Sequence, residues 1–225
     1  MAIDLKIVVR KLAQLTPARN DLSDPLELIL WENIGYLIDD ERRAELFAEF
    51  KKRVGFDAGK IARASNAVLL EIAKRGGMNP ETRVKRWRDI ASIVLEECSG
   101  DLAGTLRQIP TKKARALLKK FPAIGEPGVD RILLFSSLEP QPSVESNGLR
   151  VLVRLGACKE EKSYAATYKA AVRTLQAVAN GKSGWLKTAY TSLREHGKTL
   201  CKRSEPQCLA CPLDKLCAHA PVKNF

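Results

Sequence analysis

The segment that decides the fold is residues 111–135, TKKARALLKKFPAIGEPGVDRILLF. Residues 111–121 predict a short basic helix, and residues 122–126, with a proline and a glycine, predict a turn. Pro127 suits the first turn of a second helix. A turn between two helices exposes backbone N–H groups at the start of the second helix, and such groups bind phosphate without reading a base.

The basic residues of this segment extend the expected phosphate-binding surface. Four lysines lie on the first helix, Lys112, Lys113, Lys119 and Lys120, and their contacts to phosphate should weaken steeply with salt. The nucleic-acid contacts expected here come from Lys112, Lys113, Lys120, Ala123, Ile124, Gly125 and Gly128. The alternative is that the two helices form only a packing unit.

The rest of the chain predicts an almost entirely helical protein. Asp24, Pro25 and Glu27 have the pattern of an N-cap, a first-turn proline and a capping-box acid. Between residues 84 and 95, apolar residues recur at helical spacing. Further helices are expected at 26–38, 40–54, 60–75, 164–180 and 185–196. No segment alternates as a strand does, so the expected fold class is all-α.

One proline-rich segment, residues 138–143 (LEPQPS), indicates a crossing between two lobes, because its two prolines disfavour a continuing helix. The first lobe is expected at 26–138 and ends in the helical hairpin at 111–137. The second lobe is expected to combine residues 1–25 with residues 139–225.

Charge points to an anionic partner. The 225-residue chain has 38 Lys plus Arg against 26 Asp plus Glu, a formal net charge of +12, which favours an anionic polymer or surface. A merely soluble basic protein is the alternative. No run of about 18 apolar residues predicts a membrane span, and no signal peptide is evident. A cytoplasmic, nucleoid-associated protein is therefore expected.

Four of the six cysteines are clustered. Cys201, Cys208, Cys211 and Cys217 have the spacing C-x6-C-x2-C-x5-C. Four thiolates on a short loop can bind zinc or a [4Fe–4S] cluster. Zinc ribbons generally use paired short knuckles, and only one C-x2-C occurs here, so the spacing favours the cluster over zinc and over free or disulfide-bonded cysteines. The isolated Cys98 and Cys158 are expected to be small buried side chains.

The hairpin and the cysteine loop, in this order, resemble the helix-hairpin-helix DNA glycosylases of the endonuclease III type over roughly residues 24–218. The family's turn reads approximately L-P-G-V-G, and this chain has F-P-A-I-G, so Ala123 replaces the first glycine. The resemblance implies two helical lobes with a cleft between them, a [4Fe–4S] cluster on the C-terminal loop, and a base flipped out of duplex DNA.

The resemblance also implies a catalytic carboxylate. The family has V-D-x-x-x-x-R-V after the hairpin, and residues 144–151 read VESNGLRV, which puts Glu145 at the aspartate position. A carboxylate close to the sugar can stabilise an oxocarbenium-like transition state and position water. Glu145 could instead only face the dipole at a helix N-terminus.

Other positions depart from the family or are less specific. Pro127 stands where bifunctional members carry a Schiff-base lysine, so lyase activity through this position is not expected; Lys187 is another candidate amine. Asn33 is expected to help fill the gap left by a flipped base, with Trp31 and Tyr36 near it. His196 precedes the cysteine loop and is expected to be structural.

Two functions from different classes follow. The first is a monofunctional glycosylase, a monomer that acts on double-stranded DNA with a damaged or mismatched base and hydrolyses the N-glycosidic bond through Glu145 and water. The second is a non-catalytic protein that binds DNA damage or DNA structure on the same scaffold. A redox-responsive DNA binder is a weaker third hypothesis.

Overall fold

The structure is a computed structural model that describes residues 3–17 and 22–219. The helices found in these residues are α1 (Leu5–Ala13), α2 (Pro25–Asn33), α3 (Asp40–Arg53), α4 (Ala58–Arg63), α5 (Asn66–Lys74), α6 (Pro80–Cys98), α7 (Leu102–Gln108), α8 (Thr111–Leu118), α9 (Glu126–Phe135), α10 (Ser146–Arg154), α11 (Tyr164–Ala179) and α12 (Ser183–Thr199). The described residues contain no β-strand, and Tyr36 and Gly77 form an isolated bridge. The prediction of an all-α protein is confirmed.

The helices form two compact units. One unit comprises residues 22–138 and contains α2 to α9. The other comprises residues 3–17 with residues 139–219 and contains α1 and α10 to α12. In the described residues, no helix is long and apolar enough to cross a membrane.

In the unit of residues 22–138, the long helix α6 is the centre of the core. It packs against α2, α4, α5 and α7, and its Trp87 is fully buried. The Trp87 ring lies edge-on to that of Phe50, with centroids 4.8 Å apart. Burial of one large apolar side chain stabilises the folded state by about 1.5–3 kcal/mol, so these two aromatic side chains together contribute several kcal/mol to the free energy of unfolding.

Two predicted helices differ from the observed ones, since one ends early and the other is divided in two. The helix expected at 26–38 stops at Asn33, where the chain turns into the Tyr36 bridge. The helix expected at 60–75 is two helices, because Ser65 caps a new start at α5. The Arg88 guanidinium stabilises that break, since it donates to the carbonyl oxygens of Ile61, Ala62 and Ala64.

In the other unit, α12 packs against α1, α10 and α11. A Cβ on Gly197 would lie 2.5 Å from the Asn147 carbonyl oxygen, and one on Gly148 would lie 3.3 Å from Leu193 Cβ and 3.5 Å from the Arg194 backbone nitrogen. These two glycines therefore permit α10 and α12 to approach backbone to backbone. That contact fixes the start of α10, where Glu145 lies.

Candidate functional site

The hairpin is formed by α8 and α9, joined by residues 119–125. In the turn, Ala123 has φ +61°, a left-handed backbone conformation that is normally taken by glycine. Gly125 is the N-cap of α9, and Glu126 and Pro127 open the helix. Among the described residues, the N–H groups of Gly125, Glu126 and Gly128 have no acceptor. Three amides at a helix N-terminus are therefore available to an anion.

The lysines of the hairpin fall into two classes. Lys112 and Lys113 are exposed and have no ion-pair partner within the described residues. Lys120 is paired with Glu97, with 2.6 Å between Nζ and Oε2, and Lys119 Nζ lies 2.7 Å from Glu126 Oε1. The free positive charge of this surface therefore comes mainly from the first turn of α8.

A carboxylate network ties α8 to α9. Arg115 lies 3.0 Å from Glu126 Oε2 and 2.7 Å from Asp130 Oδ1, and Asp130 is buried. The hydrogen bond from Lys119, followed by the charge of Arg115, lowers the pKa of Glu126 below its ordinary value of 4.5. The network fixes the angle of the hairpin, and it also puts a negative charge beside the free amides of α9.

Asn33 is held inside the protein. Its side chain is 3% exposed, and its Nδ2 donates to the carbonyl oxygens of Ile29 (3.0 Å) and Pro122 (2.9 Å). Its own carbonyl oxygen accepts from Trp87 Nε1 at 3.1 Å. Asn33 therefore anchors the end of α2 to the turn of the hairpin, and in this position its amide does not face solvent. Its contact with DNA stays a prediction.

Next to this anchor is an exposed apolar tip, of which the sequence analysis named only Tyr36. It consists of Tyr36, Leu37 and Met78, which are 58%, 76% and 61% exposed. The Tyr36–Gly77 bridge, with Tyr36 N donating to Gly76 O at 2.9 Å, brings the two loops together. Three large apolar side chains on paired loops can act as a wedge between base pairs.

Glu145 is the N-cap of α10 and is half-buried. Its Oε1 accepts from the Gly148 N–H at 2.7 Å, and its Oε2 accepts from Asn147 Nδ2 at 2.8 Å. The helix-terminus role weighed from the sequence is thus present. Each carboxylate oxygen can accept a further hydrogen bond. Capping therefore fixes the orientation of the carboxylate and leaves both oxygens able to bind another group. The pKa of Tyr164, at the start of α11, is raised by burial and by the charge of Glu145.

The carboxylate is connected to the cysteine loop by hydrogen bonds that the sequence did not reveal. Asn147 Oδ1 accepts from the Arg150 guanidinium at 2.9 Å. That guanidinium also donates to the carbonyl oxygens of Gly197 (2.7 Å) and Cys201 (3.0 Å). Arg150 therefore joins the first turn of α10 to the end of α12 and to the first cysteine of the loop.

The four clustered cysteines, Cys201, Cys208, Cys211 and Cys217, line one pocket. Val151, Leu155, Leu200 and Leu213 contribute apolar surface to it. His196 Nε2 lies 3.6 Å from Cys211 Sγ, and an Arg154 nitrogen lies 3.4 Å from Cys201 Sγ. Arg154 also holds the loop backbone through the carbonyl oxygens of Lys202 (2.7 Å) and Arg203 (3.1 Å).

This donor set fits an iron–sulfur cluster chemically. The pKa of Cys211 is raised by burial and by the charges of the other three cysteines. Four neighbouring thiolates therefore need a cationic centre to be stable together. A four-iron cluster takes one thiolate per iron, which matches four cysteines that line a shared pocket. In the described residues, no group of three or more His, Cys, Asp or Glu side chains is arranged to hold a metal ion.

The two isolated cysteines differ from each other. Cys98 is 4% exposed on α6, as expected for a small core side chain, and burial raises its pKa. Cys158 is only half-buried, because it follows the end of α10 in the connection to α11.

No protein-family model matches the chain. A thymine-DNA glycosylase of Aeropyrum pernix is 24% identical over 112 residues, which is 50% of this chain and 49% of that protein. The chain thus aligns with about half the length of this curated relative.

Solved structures match almost the whole chain. An endonuclease III trapped as a covalent DNA intermediate has a TM-score of 0.74 at 18% identity, covering 96% of this chain and 95% of that one. A thermostable thymine-DNA glycosylase has a TM-score of 0.76 at 16% identity, with coverage of 96% and 95%. The 3-methyladenine DNA glycosylase of H. pylori has a TM-score of 0.63 at 18% identity, with coverage of 87% and 95%. The expected resemblance is confirmed at the level of the fold: this chain has the all-α fold of the endonuclease III-type helix-hairpin-helix DNA glycosylases.

Proposed function

We propose that this protein is a DNA glycosylase of base-excision repair, which flips a damaged or mismatched base out of duplex DNA and hydrolyses its N-glycosidic bond. The observation that carries the proposal is Glu145, a carboxylate oriented by Gly148 and Asn147 at the start of α10. It occurs in a chain whose fold matches glycosylase structures over 96% of its length.

The unit of residues 22–138 carries the groups suited to binding and opening the duplex. The free amides at the start of α9, with Lys112 and Lys113, bind phosphate. The tip of Tyr36, Leu37 and Met78 enters the stack, where apolar side chains lower the free energy of unstacking. Asn33 holds the end of α2, from which the tip extends, against the turn that binds phosphate.

Glu145 supplies the chemistry. As the C1′–N bond breaks, its electron pair leaves with the base and positive charge develops on the sugar. The carboxylate stabilises that charge, orients the water whose oxygen bonds to C1′ and accepts the proton that this water loses, while the departing base takes up a proton from solvent. Asn147 is a positioning residue, because it fixes Oε2 through the side-chain amide. Glutamate reaches one methylene farther than aspartate, so the pocket must accept a shift of about 1 Å.

We also propose that Cys201, Cys208, Cys211 and Cys217 hold a [4Fe–4S] cluster. When bound, the cluster supplies four metal–thiolate bonds that close the loop. Arg150 and Arg154 then hold the closed loop against α10 and α12, so the proposed role is structural. A brown protein with broad absorbance near about 400 nm, lost when all four cysteines are replaced, tests this. Stoichiometric zinc and no iron would contradict it.

The reaction is proposed to stop at base release, with a monomeric enzyme. Pro127 has no amine with which to form a Schiff base, although Lys187 remains another candidate amine. A borohydride-trapped covalent adduct with abasic DNA would show that another lysine serves.

A panel of lesion-bearing duplexes tests the function. Because the relatives include thymine-DNA glycosylases, the panel begins with thymine and uracil opposite guanine and continues to alkylated purines and oxidised pyrimidines. Alkali-labile abasic sites in one duplex support a glycosylase. Selective binding with no base release on any duplex favours the non-catalytic alternative.

A further inference from the structure

A second concave site lies in the unit that carries Glu145, at the other end of α12 from the cysteine loop. It is a cavity of about 380 Å³ formed by α1, the end of α11 and the start of α12. The length of α12, 17 residues, separates the two ends by about 24 Å at 1.5 Å per residue. Glu145 belongs to the cysteine-loop end of α12, because Gly197 closely approaches Asn147, which holds the Glu145 carboxylate. The cavity is therefore distinct from the cysteine pocket and from Glu145.

Three cations and an indole line this cavity. Lys6 and Arg10 lie one turn apart on α1, and Lys182 is the N-cap of α12. Within the described residues none of these three side chains has a carboxylate partner, and no Asp or Glu lines the cavity. The half-buried Trp185 supplies an aromatic surface, with Val9, Val178 and Ala179 beside it.

This combination selects for one kind of ligand. Three unpaired cations around one cavity repel one another, and an anion of more than one charge relieves that repulsion. An indole face beside them binds a flat ring by stacking, as in proteins that bind single strands. The volume lies within the range of small-ligand pockets, about 300–1,000 Å³. A phosphate alone would make no stacking contact with the indole of Trp185.

We propose that this cavity is a nucleotide-binding site, in which Lys6, Arg10 and Lys182 bind phosphate and the base stacks on Trp185. The nucleotide is either free or the unpaired part of a strand. The proposal does not require glycosylase activity, and it adds a nucleic-acid contact outside the hairpin.

Fluorescence of Trp185 tests the site directly. In a Trp31→Phe background the remaining tryptophans are Trp185 and the fully buried Trp87, so quenching reports on Trp185. The probes are inorganic pyrophosphate, adenosine monophosphate and a short single-stranded oligodeoxyadenylate. A control acidic peptide of equal charge carries no ring.

The proposal expects saturable quenching by the mononucleotide or the oligonucleotide, and weaker binding of pyrophosphate and the peptide. Lys6→Ala/Arg10→Ala should weaken nucleotide binding by at least about tenfold, or about 1.4 kcal/mol. Lys11→Ala, on the same helix but outside the cavity, should not. Tighter binding of the oligonucleotide than of the mononucleotide identifies a strand as the source, and equal binding identifies a free nucleotide.

Several results would overturn it. These are the absence of saturable quenching, an equal loss with Lys11→Ala, or pyrophosphate or the peptide binding as tightly as the nucleotides. Circular dichroism of each variant establishes that the helical fold is retained, and all three substitutions are at exposed positions.

Discussion

Replacing Asn33 with alanine should destabilise the unit of residues 22–138 rather than merely weaken DNA binding. The variant loses hydrogen bonds to Ile29 and Pro122, each worth about 1 kcal/mol, and leaves the Pro122 carbonyl without that donor, which costs about 1 kcal/mol more. Asn33 Oδ1 is buried without a partner, so its removal returns roughly 1 kcal/mol. The net loss in the free energy of unfolding is about 2 kcal/mol.

Urea unfolding followed by tryptophan fluorescence measures this loss, because the buried Trp87 donates to the Asn33 carbonyl. With a slope of about 2 kcal/mol per molar urea, the midpoint should fall by about 1 M. Gln108→Ala, which removes an exposed amide from the same unit, should change it by less than about 0.5 kcal/mol. An unchanged midpoint with a large loss of DNA affinity would refute the buried role and favour direct contact of Asn33 with DNA.

Three other substitutions probe the hairpin and the α10–α12 contact. Gly197→Ala puts a Cβ 2.5 Å from the Asn147 carbonyl oxygen and should lower the melting temperature by several degrees. The control Gly184→Ala, whose Cβ would have no atom within 4 Å, should not lower it. Equal effects of the two substitutions would mean that the close approach of α10 and α12 is unimportant. Ala123→Gly removes the side chain from a left-handed backbone conformation at φ +61°. It should raise the free energy of unfolding by about 0.5–1 kcal/mol, because the steric strain of a left-handed alanine, about 1–2 kcal/mol, exceeds the conformational entropy that glycine loses on folding. A lower urea midpoint would contradict this. Glu126→Gln should tighten DNA binding and steepen its salt dependence, because it frees Lys119 beside the amides of α9. The same substitution should lower the melting temperature at neutral pH. The difference from the wild-type protein should disappear as the pH falls below 4.5 and Glu126 becomes protonated, because the pKa of Glu126 lies below that value. A difference in melting temperature that persists in acid would show that the charge of Glu126 is not its cause.

The hairpin could be predicted from the sequence because the residues that indicate it are close together in the chain. Prolines, the glycine of the turn and the lysines of α8 lie within 25 consecutive residues and fix both helices and the turn. Glu145 was proposed from the family resemblance, and the motif that carries it, residues 144–151, is also local. The all-α class followed from helical periodicity in the same way.

Other features depend on contacts between distant parts of the chain. The apolar tip forms because the loop of Tyr36 pairs with the loop of Gly77, about forty positions later, and nothing in either loop alone indicates it. The burial of Asn33 depends on Pro122, 89 residues away. The role of Arg150 depends on Cys201, 51 residues away. Tertiary hydrogen bonds of this kind have no periodic signature in sequence.

The most direct test of the account compares base release by the wild-type protein and by Glu145→Gln on the best duplex of the panel, with protein in excess over DNA and with DNA affinity measured in parallel. We expect the substitution to lower the single-turnover rate by at least about a hundredfold and to change the affinity by less than about threefold. Base release by Glu145→Gln at the wild-type rate would show that this carboxylate caps α10 and does nothing to the sugar.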